Sequence, residues 1–101
     1  MKLVVATFRP VLLDTVVFAL HQIEGFPGGT VAEVQRIGPA PAAAPDEGEG
    51  EQAAGYPAAV RLEIPCPDEL VGRVVTTIAG KAKIGQPDDA PILVLPLESA
   101  T

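Results

Sequence analysis

Residue types that carry nucleophilic or acid-base chemistry are sparse in this chain of 101 residues: one histidine, His21, one cysteine, Cys66, one tyrosine, Tyr56, and no serine before Ser99. Covalent catalysis needs a nucleophile, a base within hydrogen-bond reach and a group that orients the base. Too few candidates exist to assemble such a set, so the chain is expected not to be an enzyme. His21 has no cysteine or second histidine near it in sequence, and reads as a surface side chain rather than a metal ligand. Cys66 continues the inward phase of a strand, where a free thiol behaves as a small buried hydrophobe, and a lone cysteine cannot close an internal disulfide. The acids Asp46, Glu47, Glu49 and Glu51 have the oxygen ligands that a hard cation such as Ca2+ takes, although a solvated acidic run is the commoner meaning of such a stretch. No metal site is assigned.

The totals narrow the partners. A net charge of −6 and a pI near 4.5 argue against binding a phosphate backbone by charge, which requires clustered Lys and Arg. Three Phe, one Tyr and no Trp leave few stacking platforms for single-stranded nucleic acid. Free DNA or RNA is therefore not expected. The opening "MKLVVATFRPVLLD" meets Arg9, Pro10 and Asp14 before a secretory apolar region could be completed, and no apolar run reaches the roughly 18 residues of a membrane span. A soluble cytoplasmic protein is the expectation.

These residues must be held by a small set of elements. Leu3 to Phe8 is a β-rich run stopped at Arg9-Pro10, where proline removes a ladder donor. Leu13, Val16, Val17, Leu20 and Ile23 recur at helical spacing, with Asp14, His21, Gln22 and Glu24 on the other side and "GFPGG" as the stop. Thr30 to Ile37 is a second strand. In the third, Val60, Leu62, Ile64 and Cys66 alternate with Arg61 and Glu63, the period of a half-buried strand. Pro67, Asp68 and Glu69 favour a helix start, and Leu70, Val71, Val74, Val75 and Ile78 carry that helix to an end near Gly80. Ile92 to Leu97 is a continuous apolar run suited to a central or interface strand. The order is β-α-β-β-α-β, an α+β, ferredoxin-like arrangement with a four-stranded antiparallel sheet. Residues 1–101 form one domain, interrupted by a Pro-, Ala-, Gly- and acid-rich tract at 38–59 that is too long for an ordinary strand connection. It reads as a flexible arm or as a solvated insertion that cannot bury enough apolar area to order itself.

Several of these stretches, in this order, resemble the PII signal-transduction family. They are Arg9-Pro10 closing the first strand, Leu13-Asp14 opening the first helix, "GTVAEV" from Gly29 to Val34, "VRLEIPCPDELV" from Val60, "KIG" from Lys83 to Gly85, and "ILVLPLESA" near the end. The resemblance covers nearly the whole chain outside the long tract. It implies a homotrimer whose sheets face one another around a threefold axis, with ligand clefts between adjacent subunits. It also implies that 38–59 is the T-loop through which such proteins contact a membrane transporter or a metabolic enzyme. Thr30, Gly38 and Glu63 match positions around the adenine or the base of the T-loop, and Lys83 and Gly85 match the loop before the last strand.

The departures from the family bear on the ligand. Members that bind ATP tightly have Gly-Asp-Gly-Lys before the last strand, where amides and a lysine cradle phosphates. This chain has "GQPDDAP", and its end "LESAT" lacks the basic Arg-x-Arg segment. One unpaired acid about 4 Å from a phosphate costs a few kcal/mol at an effective dielectric of 20, so Asp88 and Asp89 oppose a triphosphate. Lys81, Lys83, Arg9 and Arg36 are the nearest remaining cations by alignment. Weak or no ATP binding is expected, with ADP, AMP or a small anion such as bicarbonate or 2-oxoglutarate as effector. Tyr56 lies outside the family's modified-tyrosine context, so uridylylation is not carried over to it. The competing expectation is a trimer of the CutA type, which shares this fold and binds a divalent cation.

Overall fold

The structure, a computed structural model, describes residues 1–38, 56–82 and 92–99. Its elements are β1 (Lys2–Phe8), a 3-10 turn (Pro10–Leu12), α1 (Leu13–Leu20), β2 (Thr30–Gln35), β3 (Ala58–Cys66), α2 (Asp68–Ala82) and β4 (Ile92–Pro96). The four strands form one antiparallel sheet in the order β2-β3-β1-β4. With one helix after β1 and the other after β3, this is the expected ferredoxin-like α+β fold.

Strand alternation decides where the core sits. Val4, Ala6 and Phe8 of β1 oppose Ile64, Leu62 and Val60 of β3, and all six are buried. Val16 and Leu20 of α1, with Val74, Ile78 and Ala82 of α2, close over this face to make a single cluster. Cys66 is at its edge and fully buried, as the inward phase of its strand requires. Successive residues point to opposite faces, so Leu3, Val5 and Thr7 of β1, Arg61, Glu63 and Pro65 of β3, and Leu93 and Leu95 of β4 share the other face.

Differences from the expected boundaries have local causes. The first helix was expected to run to Ile23 but ends at Leu20. Beyond it the chain continues in tight turns, Gln22 N–H to Ala19 O and Ile23 N–H to Leu20 O, so that Ile23 still reaches the core. Gly25, at φ +82, then redirects the chain. The second helix passes Gly80 and is helical through Ala82, the last described residue before 92; Ala82 is fully buried, so tertiary packing outweighs the helix cost of one glycine, about 1 kcal/mol. β4 is not a central strand. Among the described strands it pairs only with β1 and forms an edge of the sheet, on the side of β1 that β3 leaves free.

Candidate functional site

Two glycines set the position of the first candidate residue. Gly28 has φ +87, a conformation that only glycine adopts without strain. At Gly29 a Cβ atom would stand 2.5 Å from the backbone oxygen of Glu63 and 2.9 Å from Cγ1 of Ile64. The chain can therefore press against β3 as it enters β2, and Thr30 becomes the cross-strand partner of Glu63. Pro65 lies beyond this first β2–β3 pair, so its missing N–H interrupts no β2 ladder bond.

On the open sheet face Thr30 is exposed and Glu63 half-buried. The Glu63 carboxylate accepts an ion-pair contact from Nε of Arg61, two residues away on the same face, at 3.1 Å. The expected exposed-face placement of both residues is observed, and the partner of Glu63 is Arg61 itself. On the other side, Glu63 neighbours Val5, and beyond Val5 the face turns apolar through Leu93 and Leu95 of β4, which are 55% and 42% exposed. A polar half over β3 and β2 thus adjoins an apolar half over β1 and β4.

Gly38 is not part of this grouping. It follows the opposite end of β2, where Gln35 pairs with Ala58 and the N–H of Arg36 donates to Pro57 O at 3.0 Å. Thr30 and Gln35 alone are about 17 Å apart at the usual strand rise. A Cβ at Gly38 would meet no atom of the described residues within 4 Å. This end of the β2–β3 pair carries shallow grooves: one of about 410 Å³ is lined by Glu33, Val34, Gln35 and Ala58, and one of about 390 Å³ by Val34, Gln35, Ile37 and Tyr56. Lys83 and Gly85 lie outside the described residues, as do Asp88 and Asp89, the acids Asp46 to Glu51 and most of the 38–59 tract.

The remaining reactive groups are placed as spectators of this site. Burial pushes the Cys66 thiol above its ordinary pKa, and the charges of Glu69 and Asp68 push it further, so it stays protonated. Asp68 opens α2 and its carboxylate takes the Met1 ammonium at 2.9 Å, which holds its pKa below the usual value. His21 is exposed and stacks edge-to-face on Phe26, with ring centroids 5.8 Å apart. Among the described residues no three or more of His, Cys, Asp and Glu gather into a group that could hold a metal, and no helix is long and apolar enough to cross a membrane.

No family model matches the chain. A direct relative does: the nitrogen regulatory protein P-II of Rhizobium etli is 37% identical over 100 residues, covering 99% of this chain and 88% of that protein. The chain belongs to the P-II family. Near-complete coverage of both P-II sequences matches the extent of the resemblance seen from the motifs. Two features of this P-II chain escaped the sequence. One is the Arg61–Glu63 ion pair, for which the two-residue spacing in an alternating strand, putting both side chains on one face, was a sufficient signal. The other is the exposed Phe18, masked by the strength of the apolar helical repeat around it.

Proposed function

We propose that this P-II chain is a non-enzymatic cytoplasmic regulator that assembles as a homotrimer through its open sheet face. It binds a small effector in clefts between adjacent copies and acts on a membrane transporter or a metabolic enzyme through the tract between β2 and β3. The observation that carries this is the apolar half of the open face: Leu3 and Val5 half-buried, Leu93 and Leu95 exposed, with no described element over them. Contiguous apolar surface of this kind marks an interface.

The spacing of the candidate residues supports a shared cleft. Thr30 and Glu63 sit at one end of β2 and Gly38 at the other, too far apart to hold one small molecule within a chain. A seam between two copies can bring the opposite ends together. In that cleft Thr30 and Glu63 take the polar edge of a base, while Lys83 and Gly85 take a phosphate or a small anion. Because "GQPDDAP" adds two acids where a triphosphate would lie, ADP, AMP or bicarbonate fits better than ATP.

Isothermal calorimetry of the full chain with AMP, ADP, ATP, bicarbonate and 2-oxoglutarate tests the effector. Heat of binding is expected for ADP, AMP or a small anion, at least about tenfold tighter than for ATP by the charge argument, and lost in E63Q and K83A. Silence with every ligand removes the sensor. Sedimentation tests the assembly, and a lone monomer at micromolar concentration removes the clefts.

A further inference from the structure

Helix α1 buries Val16 and Leu20 against the sheet, while Phe18, on the outward side, is 70% exposed. Asp14 and Thr15 are exposed beside it, so one large ring projects among polar groups. Phe18 stands beside a groove of about 680 Å³ between α1 and α2, with Thr15, Ala19 and Thr77 along it. The groove has a charged end. β1 and β3 are antiparallel and each leads into its helix, so α1 and α2 run in opposite directions. Asp14 in the first turn of α1 and Lys81 in the last turn of α2 therefore line the same end. Neither makes an ion pair among the described residues.

We propose that this groove docks a second copy of the chain about a twofold axis running along it. Such an axis lays α1 of one copy over α2 of the other and keeps the charged ends together. Phe18 of each copy then enters the space between Thr15, Ala19 and Thr77 of the other, and Asp14 of each meets Lys81 of the other. Isologous contacts require a surface complementary to itself. This one supplies a projecting ring and a space lined by small side chains, and one acid and one amine that form no ion pair among the described residues. The charge complementarity selects a second copy over a helix of some other protein, which would have to bring a matching pattern of its own. The helical layer is the opposite side of the molecule from the open sheet face, so this contact is independent of the proposed threefold assembly.

Sedimentation equilibrium of the full chain over a range of concentrations tests it. The weight-average mass is expected to rise with concentration above that of the smallest species, toward twice a monomer and beyond twice a trimer, since a trimer carries the groove on each of its three subunits. F18E, at an exposed position and checked by an unchanged circular dichroism spectrum, is expected to abolish the rise. D14K and K81D alone are each expected to weaken association by about tenfold or more, because like charges then face each other. An equimolar mixture of D14K and K81D is expected to restore it, since the mixed pair re-forms two acid–amine contacts. L95D, on the other layer, is expected to keep a concentration-dependent rise whatever it does to the smallest species, limited to doubling where that species is a monomer, so the two interfaces fail separately. No rise in the wild type, an unchanged rise in F18E, a mixture no better than its components, or loss of the rise in L95D overturns the proposal.

Discussion

At the scale of single residues, the glycines around β2 separate structural need from functional need. G29A drives a Cβ into the Glu63 carbonyl, and the strand must shift to admit it. A loss on the order of 1–3 kcal/mol is expected in urea denaturation. A Cβ at Gly38 meets no atom of the described residues, and Gly38 has no left-handed backbone requirement, so G38A is expected to leave stability within about 1 kcal/mol of wild type. Any effector affinity lost in G38A is then a property of the site and not of the fold. Two ionisable groups set opposite pH limbs. The folded Cys66 thiol has a raised pKa, so its contribution is complete below the unfolded thiol value and is lost as pH rises through the folded value. The folded Asp68 carboxyl has a lowered pKa, so its contribution is present above the unfolded carboxylate value and is lost as pH falls through the folded one. Urea midpoints measured against pH are expected to show C66A flattening the alkaline limb and D68N the acid limb. The acid effect fades in salt, because the Met1–Asp68 pair is exposed.

At the scale of elements, β3 shows how one strand serves two surfaces. I64A removes a fully buried side chain from the core and is expected to cost about 2–4 kcal/mol. R61A, three residues away on the other face, breaks only an exposed ion pair and is expected to cost less than about 1 kcal/mol. Chemical denaturation of the two variants checks the contrast. The alternation that predicts it was legible in Val60 to Cys66, because a period of two is a local property of an extended chain. The helix ends were less legible. Ile23 keeps the apolar phase of α1 beyond its last turn, and Ala82 draws α2 past a glycine, because each end is decided by what lies across the core. The position of β4 was not legible at all: a run of apolar residues reads the same whether its strand lies in the middle of a sheet or at the edge of a sheet with an uncovered face.

At the scale of the whole molecule, the open sheet face is the surface on which the proposed assembly turns. L93D and L95D place a charge on an outward position of an edge strand and are expected to leave the helix and sheet signal intact. Both are expected to lower the sedimenting mass to that of a smaller species, and an unchanged mass in both removes the sheet face as an interface. Element order, the inward phase of β3, the buried Cys66 and membership of the P-II family were all contained in the sequence alone, because they follow from local periodicity and from motifs in a fixed order. Only the tertiary structure decided that Thr30 lies beside Glu63 while Gly38 lies at the far end of the same strand. It also decided that Phe18 faces outward over a groove between two helices. Register, sheet order and the packing of one helix on another are set by contacts between residues distant in the chain, and such contacts leave no local period to read.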